Sequence, residues 1–141
     1  MNEIKLREGS YLSKPLSGLD AHSAVMKGLS VDVVLRIKKS LKIIDEAEFL
    51  KVLGISARTL HRKATGSQQL LDGNASDRAL RLASILELAT GVLGSQDEAE
   101  RWLSRPAIGL SDNRPIELLQ SSEGTDLVKT LLMRMDYGVY S

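Results

Sequence analysis

A chain of 141 residues, 43% hydrophobic and only 4% aromatic, has the size for one compact unit or two small ones, with a core mostly of Leu, Ile, Val and Ala. It holds no cysteine, which excludes disulfides, thiolate metal sites and a cysteine nucleophile and fits a reducing compartment. The net charge of +1 conceals an uneven spread. Eight basic residues (Arg36, Lys38, Lys39, Lys42, Lys51, Arg58, Arg62, Lys63) face three acidic ones between positions 36 and 63, whereas positions 72 to 126 carry ten acidic and five basic. Such asymmetry fits a nucleic-acid face joined to a part that does not touch phosphate; ordinary solvated surface is the plainer reading. The start, "MNEIKLREGS", lacks the apolar core of a signal peptide, and no stretch nears the roughly 20 apolar residues of a membrane span. A soluble, cytoplasmic protein is expected.

The apolar spacing is helical nearly throughout. Residues 1–18 are weakly patterned and read as an arm. "LDAHSAVMKGL" and "SVDVVLRIKKSL" each fit a helix. In the second, Ser30 is placed to cap, and Val33, Val34, Ile37 and Leu41 share a face; its β-branched residues leave a strand open. "DEAEFLKVLGISARTLHRKATG" reads as two short helices. Phe49, Leu50 and Leu53 line the first, Gly54 turns it, Ser56 caps the second, and Gly66 stops it. That is the outline of a helix-turn-helix. In "NASDRALRLASILELATGVLG", Ala79, Leu82, Ala83, Leu86 and Leu93 trace one stripe, with Ser76 as cap and Gly94 as stop. Ser95 stands three residues before Glu98, the capping-box spacing. Ala99, Trp102 and Leu103 form the next apolar side, with Trp102 as a core anchor. Pro115 opens a short helix. Leu127, Val128, Leu131, Leu132 and Met135 share the face of the last, which Gly138 ends.

No constellation supports catalysis. His22 and His61 are far apart without metal-ligand spacing, no Gly-rich phosphate loop follows a strand, and Asp97 with Glu98 suits a helix start. Neither an enzyme nor a cofactor or metal is expected. The helix-turn-helix is the sharper signal. Arg58, Thr59 and Arg62, with His61 and Lys63, project from the second helix that Ser56 caps, while Ala57 and Leu60 turn toward the core. Arginine reads guanine edges with two hydrogen bonds, and Lys, Thr and Ser hold phosphates. The plainer alternative is a helical hairpin with a basic solvent face. Leu50 also departs from the small residue that many such motifs keep four positions before the turn glycine.

The second half resembles a known family. "AERWLSRPAIGLSDNRPIELLQSSEGTDLVKTLLMRMDYGVYS" is similar to the C-terminal domain of the MbcA/ParS/Xre antitoxins. The family's marks are present in order: Trp102-Leu103, Pro106, Gly109-Leu110, Pro115 with Leu118-Leu119, Gly124, Arg134, and Tyr137 through Tyr140. Upstream, "GISARTLHRK" and "SDRALRLASILELA" resemble the Xre-type helix-turn-helix that precedes this domain, so the likeness spans roughly residues 20–141. It implies an all-α chain with an arm at 1–18, a DNA-binding and dimerisation region at 19–82, and a toxin-binding domain at 83–141. It further implies a type II antitoxin. Such a chain blocks a RES-domain toxin that depletes NAD and represses its own operon, as a homodimer on operator DNA and in a larger complex with toxin.

That implication accounts for two tyrosines so near the end of the chain. Arg134, Tyr137, Gly138, Val139, Tyr140 and Ser141 are expected to enter or cover the toxin's cleft, because tyrosine offers a rigid apolar face and a hydroxyl with few rotamers to freeze. The terminal carboxylate is suited to basic groups that hold the phosphates of NAD. The plainer alternative folds these tyrosines back onto Trp102. Two rivals remain at this stage: a stand-alone transcriptional regulator whose C-terminal half dimerises or senses a small molecule, and an adaptor that touches only proteins.

Overall fold

The computed structural model of the chain describes residues 18–66 and 69–138. The expected N-terminal arm therefore lies outside the described residues, apart from Gly18. Eight α-helices follow in order: α1 (Gly18–Lys27), α2 (Val31–Ser40), α3 (Glu46–Leu53), α4 (Ala57–Thr65), α5 (Gly73–Leu93), α6 (Gln96–Leu103), α7 (Pro115–Leu118) and α8 (Ser122–Asp136). A single 3-10 turn, Ile108–Leu110, sits between α6 and α7. No strand occurs among the described residues; Ser30 and Leu70 form only an isolated antiparallel bridge. The all-α reading holds, and α2 is a helix.

Local chemistry sets the boundaries. Ser30, Asp45, Ser56, Ser95 and Ser121 each accept an N–H of the first turn that follows, which satisfies a donor the helix itself cannot reach. Gly54 and Gly94 end α3 and α5 in the left-handed conformation. Pro115 occupies the first turn of α7, where its missing N–H costs nothing.

The start of α5 differs from the expectation. Asp72, not Ser76, is the cap, accepting the Ala75 N–H at 2.8 Å. Ser76 is buried inside the helix, where its hydroxyl accepts the Leu29 N–H at 2.8 Å and donates to the Leu71 carbonyl at 3.4 Å. Gly73 and Asn74 read as turn residues, yet the cap upstream outweighs their weak helix preference. The capping box at Ser95 is half-formed: the serine caps the Glu98 N–H at 3.1 Å, while the Glu98 carboxylate pairs with Arg101.

The core is arranged around α5, roughly 30 Å long at 1.5 Å per residue. It packs against α1, α3, α6 and α8. Ala79, Leu82, Ala83, Leu86 and Ala89 are fully buried along it, with Ile85 at 2% exposure. Phe49, Leu53, Leu103, Leu119 and Leu132 fill the spaces between neighbours. Gly124 marks the tightest approach of α7 to α8, since a Cβ there would lie 2.1 Å from the Leu118 carbonyl oxygen. On α8, Val128, Leu131 and Leu132 are buried as expected, but Leu127 is 57% exposed. Trp102 is half-buried rather than a fully enclosed anchor; it walls an open hollow of about 270 Å³ with Leu93, Glu98, Arg101, Arg105 and Pro106. In both cases the apolar stripe is wider than the surface its neighbours cover.

One polar contact crosses the core. Glu100 on α6 is completely buried. Its carboxylate accepts the backbone N–H of Lys42 at 3.0 and 3.2 Å, of Ile43 at 2.7 Å and of Ile44 at 2.9 Å. The Gln96 amide donates to the same carboxylate and to the Ser40 carbonyl, both at 2.8 Å. A buried carboxylate is tolerated when its lone pairs are filled in this way. Nearby, Arg114 at the start of α7 pairs with Glu48 on α3 and, at 3.5 Å, with Glu117. The hydrogen bond to Glu48 holds the Arg114 pKa above its ordinary value. Truncating Glu100 to Ala leaves three backbone donors without their acceptor. Urea denaturation should show a loss of about 3 kcal/mol for E100A and a smaller one for E100Q; a cost under about 0.5 kcal/mol, the range of ordinary surface substitutions, would contradict this account.

Candidate functional site

The helix-turn-helix is α3, the turn at 54–56, and α4. Gly54 takes φ 76°, and a Cβ there would lie 2.5 Å from a guanidinium nitrogen of Arg78 on α5. The turn is therefore pressed against the central helix as well as bent. Its carbonyl closure is local: the N–H groups of Gly54 and Ile55 both donate to the Leu50 carbonyl, at 2.8 and 3.2 Å. Leu50 itself is 7% exposed and belongs to the core, so the larger residue at this position is accommodated by packing. Leu60 anchors α4 at 3% exposure, and α4 rests on α2.

Across from Leu60, the outer face of α4 carries Arg58, His61, Arg62 and Thr65, all exposed. Arg58 and Arg62 are one turn apart and so project side by side. Neither forms an ion pair among the described residues. Thr59 and Lys63 lie at the flank and are half-buried. The Lys63 ammonium donates to the Leu70 carbonyl at 3.0 Å, which ties α4 to the chain entering α5. Ser56 accepts the Thr59 N–H at 3.0 Å and donates to the Thr59 hydroxyl at 3.0 Å, so both hydroxyls are engaged in the cap. Ala57 is exposed, contrary to the inward position expected for it. It stands at the first position of the helix, where no preceding turn covers it.

The second set of expected residues is at the end of α8. Arg134 and Tyr137 are exposed, the latter at 78%, and Gly138 takes φ 77° after the helix closes at Asp136. Tyr137 does not fold onto Trp102. Val139, Tyr140 and Ser141 lie outside the described residues. No group of three or more potential metal-binding side chains occurs among the described residues, and no helix there is long and apolar enough to cross a membrane.

Comparison with known proteins agrees with this division. Residues 20–84 match the family described as the antitoxin Xre-like helix-turn-helix domain. Residues 88–138 match the one described as the antitoxin Xre/MbcA/ParS C-terminal toxin-binding domain. A protein named Antitoxin Xre from Yersinia enterocolitica is 31% identical over 119 residues, covering 84% of this chain and 79% of that protein. Another Antitoxin Xre, from Pseudomonas putida, is 34% identical over 139 residues, covering 97% of this chain and 85% of that protein. The chain belongs to the Xre antitoxin family. A protein named Prs ADP-ribosylating antitoxin, from Sphingobium, is 24% identical over 134 residues, 89% of this chain and 83% of that protein.

As a member of the Xre family the chain joins a DNA-binding type of fold to a toxin-binding one, and the first family match ends and the second begins inside α5. Most of the large apolar residues between Leu29 and Leu53 face inward. Leu29, Val31, Val34, Ile37, Phe49, Val52 and Leu53 are each 1% exposed or less, so that stretch spends its apolar surface on the chain's own core. Sequence reading missed Arg114 and Glu100, which bond to α3 and the connector before it, and Arg78, whose guanidinium lies against Gly54. Their only sequence trace is a charge within or beside an apolar stripe, and that does not name a partner. Because the Ser56 hydroxyl accepts the first-turn Thr59 N–H, S56A should destabilise the chain by about 1 kcal/mol in thermal or urea unfolding.

Proposed function

We propose that this chain neutralises a RES-domain, NAD-depleting toxin with its C-terminal end and represses its own operon, in the cytoplasm, as a homodimer on operator DNA. On this reading Arg58 and Arg62 meet base edges in the major groove. His61, Thr59, Ser56 and Lys63 stand against phosphates or support the helix, and a larger complex with toxin forms on the operator. The outward pair Arg58 and Arg62, without ion-pair partners among the described residues and one turn apart on a capped helix, supports the DNA arm. The dimer contact is best sought on α1, where Leu19 and Met26 stand 82% and 73% exposed.

The observation that carries the toxin arm is the way α8 ends. A helix fixed by Val128, Leu131 and Leu132 delivers Tyr137 into solvent, and Gly138 turns the chain onward in the left-handed conformation. An exposed tyrosine on a rigid base can fill a partner's cleft at little entropic cost. Arg134, Tyr137, Gly138, Val139, Tyr140 and Ser141 are then the blocking segment. The Sphingobium relative's name motivates one variation, in which the toxin passes ADP-ribose to a protein. Following NAD loss beside labelling of proteins with ADP-ribose separates the two.

Two variants test the arms independently. R58A/R62A should lower operator affinity by roughly 100-fold or more, at about 1–3 kcal/mol for each bidentate contact, while neutralisation in a growth assay is unchanged. A chain lacking residues 137–141 should keep its operator affinity and its strong salt dependence, yet no longer protect cells. Full protection by that shortened, folded chain would overturn the blocking role.

A further inference from the structure

The blocking segment is not the whole of the exposed apolar surface in the toxin-binding half. Ile108, at the tip of the 3-10 turn, is 90% exposed, and Leu127 on α8 is 57% exposed. Isolated surface leucines are ordinary, and contiguous ones are not. These two flank a single contact. The 3-10 turn packs on α8, with Gly109 so close to Leu131 that a Cβ would lie 3.0 Å from its side chain. Ile108 immediately precedes Gly109, and Leu127 precedes Leu131 by one helical turn. Two turns further along the same side of α8 comes Arg134, and the helix then ends at Tyr137. Ile108 and Leu127 therefore stand beside the contact between the 3-10 turn and α8, and α8 runs on from there to the tip.

The loop that presents Ile108 is tightly built. The N–H groups of Leu110 and Asp112 both donate to the Ala107 carbonyl, at 3.0 and 2.9 Å, and the Ala107 N–H donates to the Asn113 carbonyl at 3.1 Å. The Ser111 N–H donates to the Ile108 carbonyl at 3.2 Å. Both the backbone N–H and the side-chain amide of Asn113 donate to the Leu110 carbonyl, at 3.0 and 2.9 Å. Ser111 and Asp112 accept positive φ values of 55° and 62°, a conformation that costs energy in residues other than glycine. Leu110, at 7% exposure, pins the turn to the core. A loop fixed this firmly holds a β-branched apolar side chain almost wholly in water.

We infer that Ile108 and Leu127 form a second docking surface for the toxin, a fixed apolar grip that seats the partner before the tip enters its cleft. This rests on the functional reading above and deepens it. The toxin is the occupant because the surface lies within residues 88–138, the segment matching the toxin-binding family, and because the helix that carries Leu127 is the one that ends at Tyr137. The corresponding toxin surface is an apolar recess beside the cleft, shaped to take one branched side chain from a rigid turn. Pre-formed presentation of such a residue limits the ordering cost of binding, and central apolar anchors carry much of an interface's energy.

The test compares the full chain, I108D/L127D and the chain lacking residues 137–141. Affinity for the toxin encoded beside this chain is measured by calorimetry, with the toxin's own reaction followed separately. Both substituted positions are exposed, so melting temperatures should stay within about 4 °C of the full chain, the shift of roughly 1 kcal/mol in a domain of this size. I108D/L127D should bind at least roughly 30-fold more weakly, and I108A/L127A several-fold more weakly, as expected for loss of anchor side chains. The shortened chain should still bind measurably while failing to inhibit. Affinity of I108D/L127D within three-fold of the full chain, at about 0.6 kcal/mol, overturns the docking surface. So does an altered oligomeric state with toxin affinity intact, which would give the surface to a second copy of this chain. Inhibition by the shortened chain equal to that of the full chain overturns the blocking segment instead, since the docking surface is judged on affinity.

Discussion

A carboxylate with no access to water organises this molecule. Glu100 has lost its hydration entirely, and its lone pairs are filled by three consecutive backbone N–H groups and one side-chain amide. Those N–H groups belong to residues 42–44, the connector that decides where α3 begins. A two-helix reading unit is too short to fix its own orientation, so the position of its first helix matters more than its internal contacts. Arg114 reinforces the same helix through Glu48. Both supports come from the C-terminal half. The part that resembles a toxin-binding domain is thus also the scaffold that aims the part that resembles a DNA reader. Burying an ion among dipoles rather than against an opposite charge makes the contact directional: the donors converge on the carboxylate only in this one arrangement.

What the sequence made legible was whatever is decided within four or five residues. Ser30, Ser56, Ser95, Gly54, Gly94 and Pro115 act through their own turn of chain, and each stands where its chemistry places it. The outward pair Arg58 and Arg62 follows from the same local geometry, since fixing Leu60 inside fixes what points out. Misreadings arose where a distant partner decides. Ser76 looked like a cap because hydroxyls favour that role, yet its hydrogen bond to Leu29 spans 47 positions. Leu127 obeyed the apolar spacing of α8 but lies past the edge of what α5 and α7 cover. At Lys63 the sequence shows the charge but not the hydrogen bond from its ammonium to the Leu70 carbonyl. Glu100 left only a charge beside an apolar stripe, and an acidic residue in an amphipathic helix is normally assigned to solvent.

The two candidate surfaces owe their independence to different supports. The outer side of α4 is set by Leu60 and by contact with α2, and the tip of α8 by Val128, Leu131 and Leu132. Neither surface borrows a side chain from the other. Their relative placement passes through α5, which touches α3 on one side and α8 on the other.

That shared rod constrains how such chains can be recombined. A cut at either family boundary falls within one uninterrupted helix and would strand half its apolar stripe without neighbours. Exchanging the DNA reader of one relative for another's therefore has to carry along α5, Glu100's partners at 42–44 and the Arg114–Glu48 pair. Diversification is freer at the periphery, on the outer side of α4 and around Ile108. On the proposed reading, operator and toxin preferences can drift there while the inherited frame stays whole.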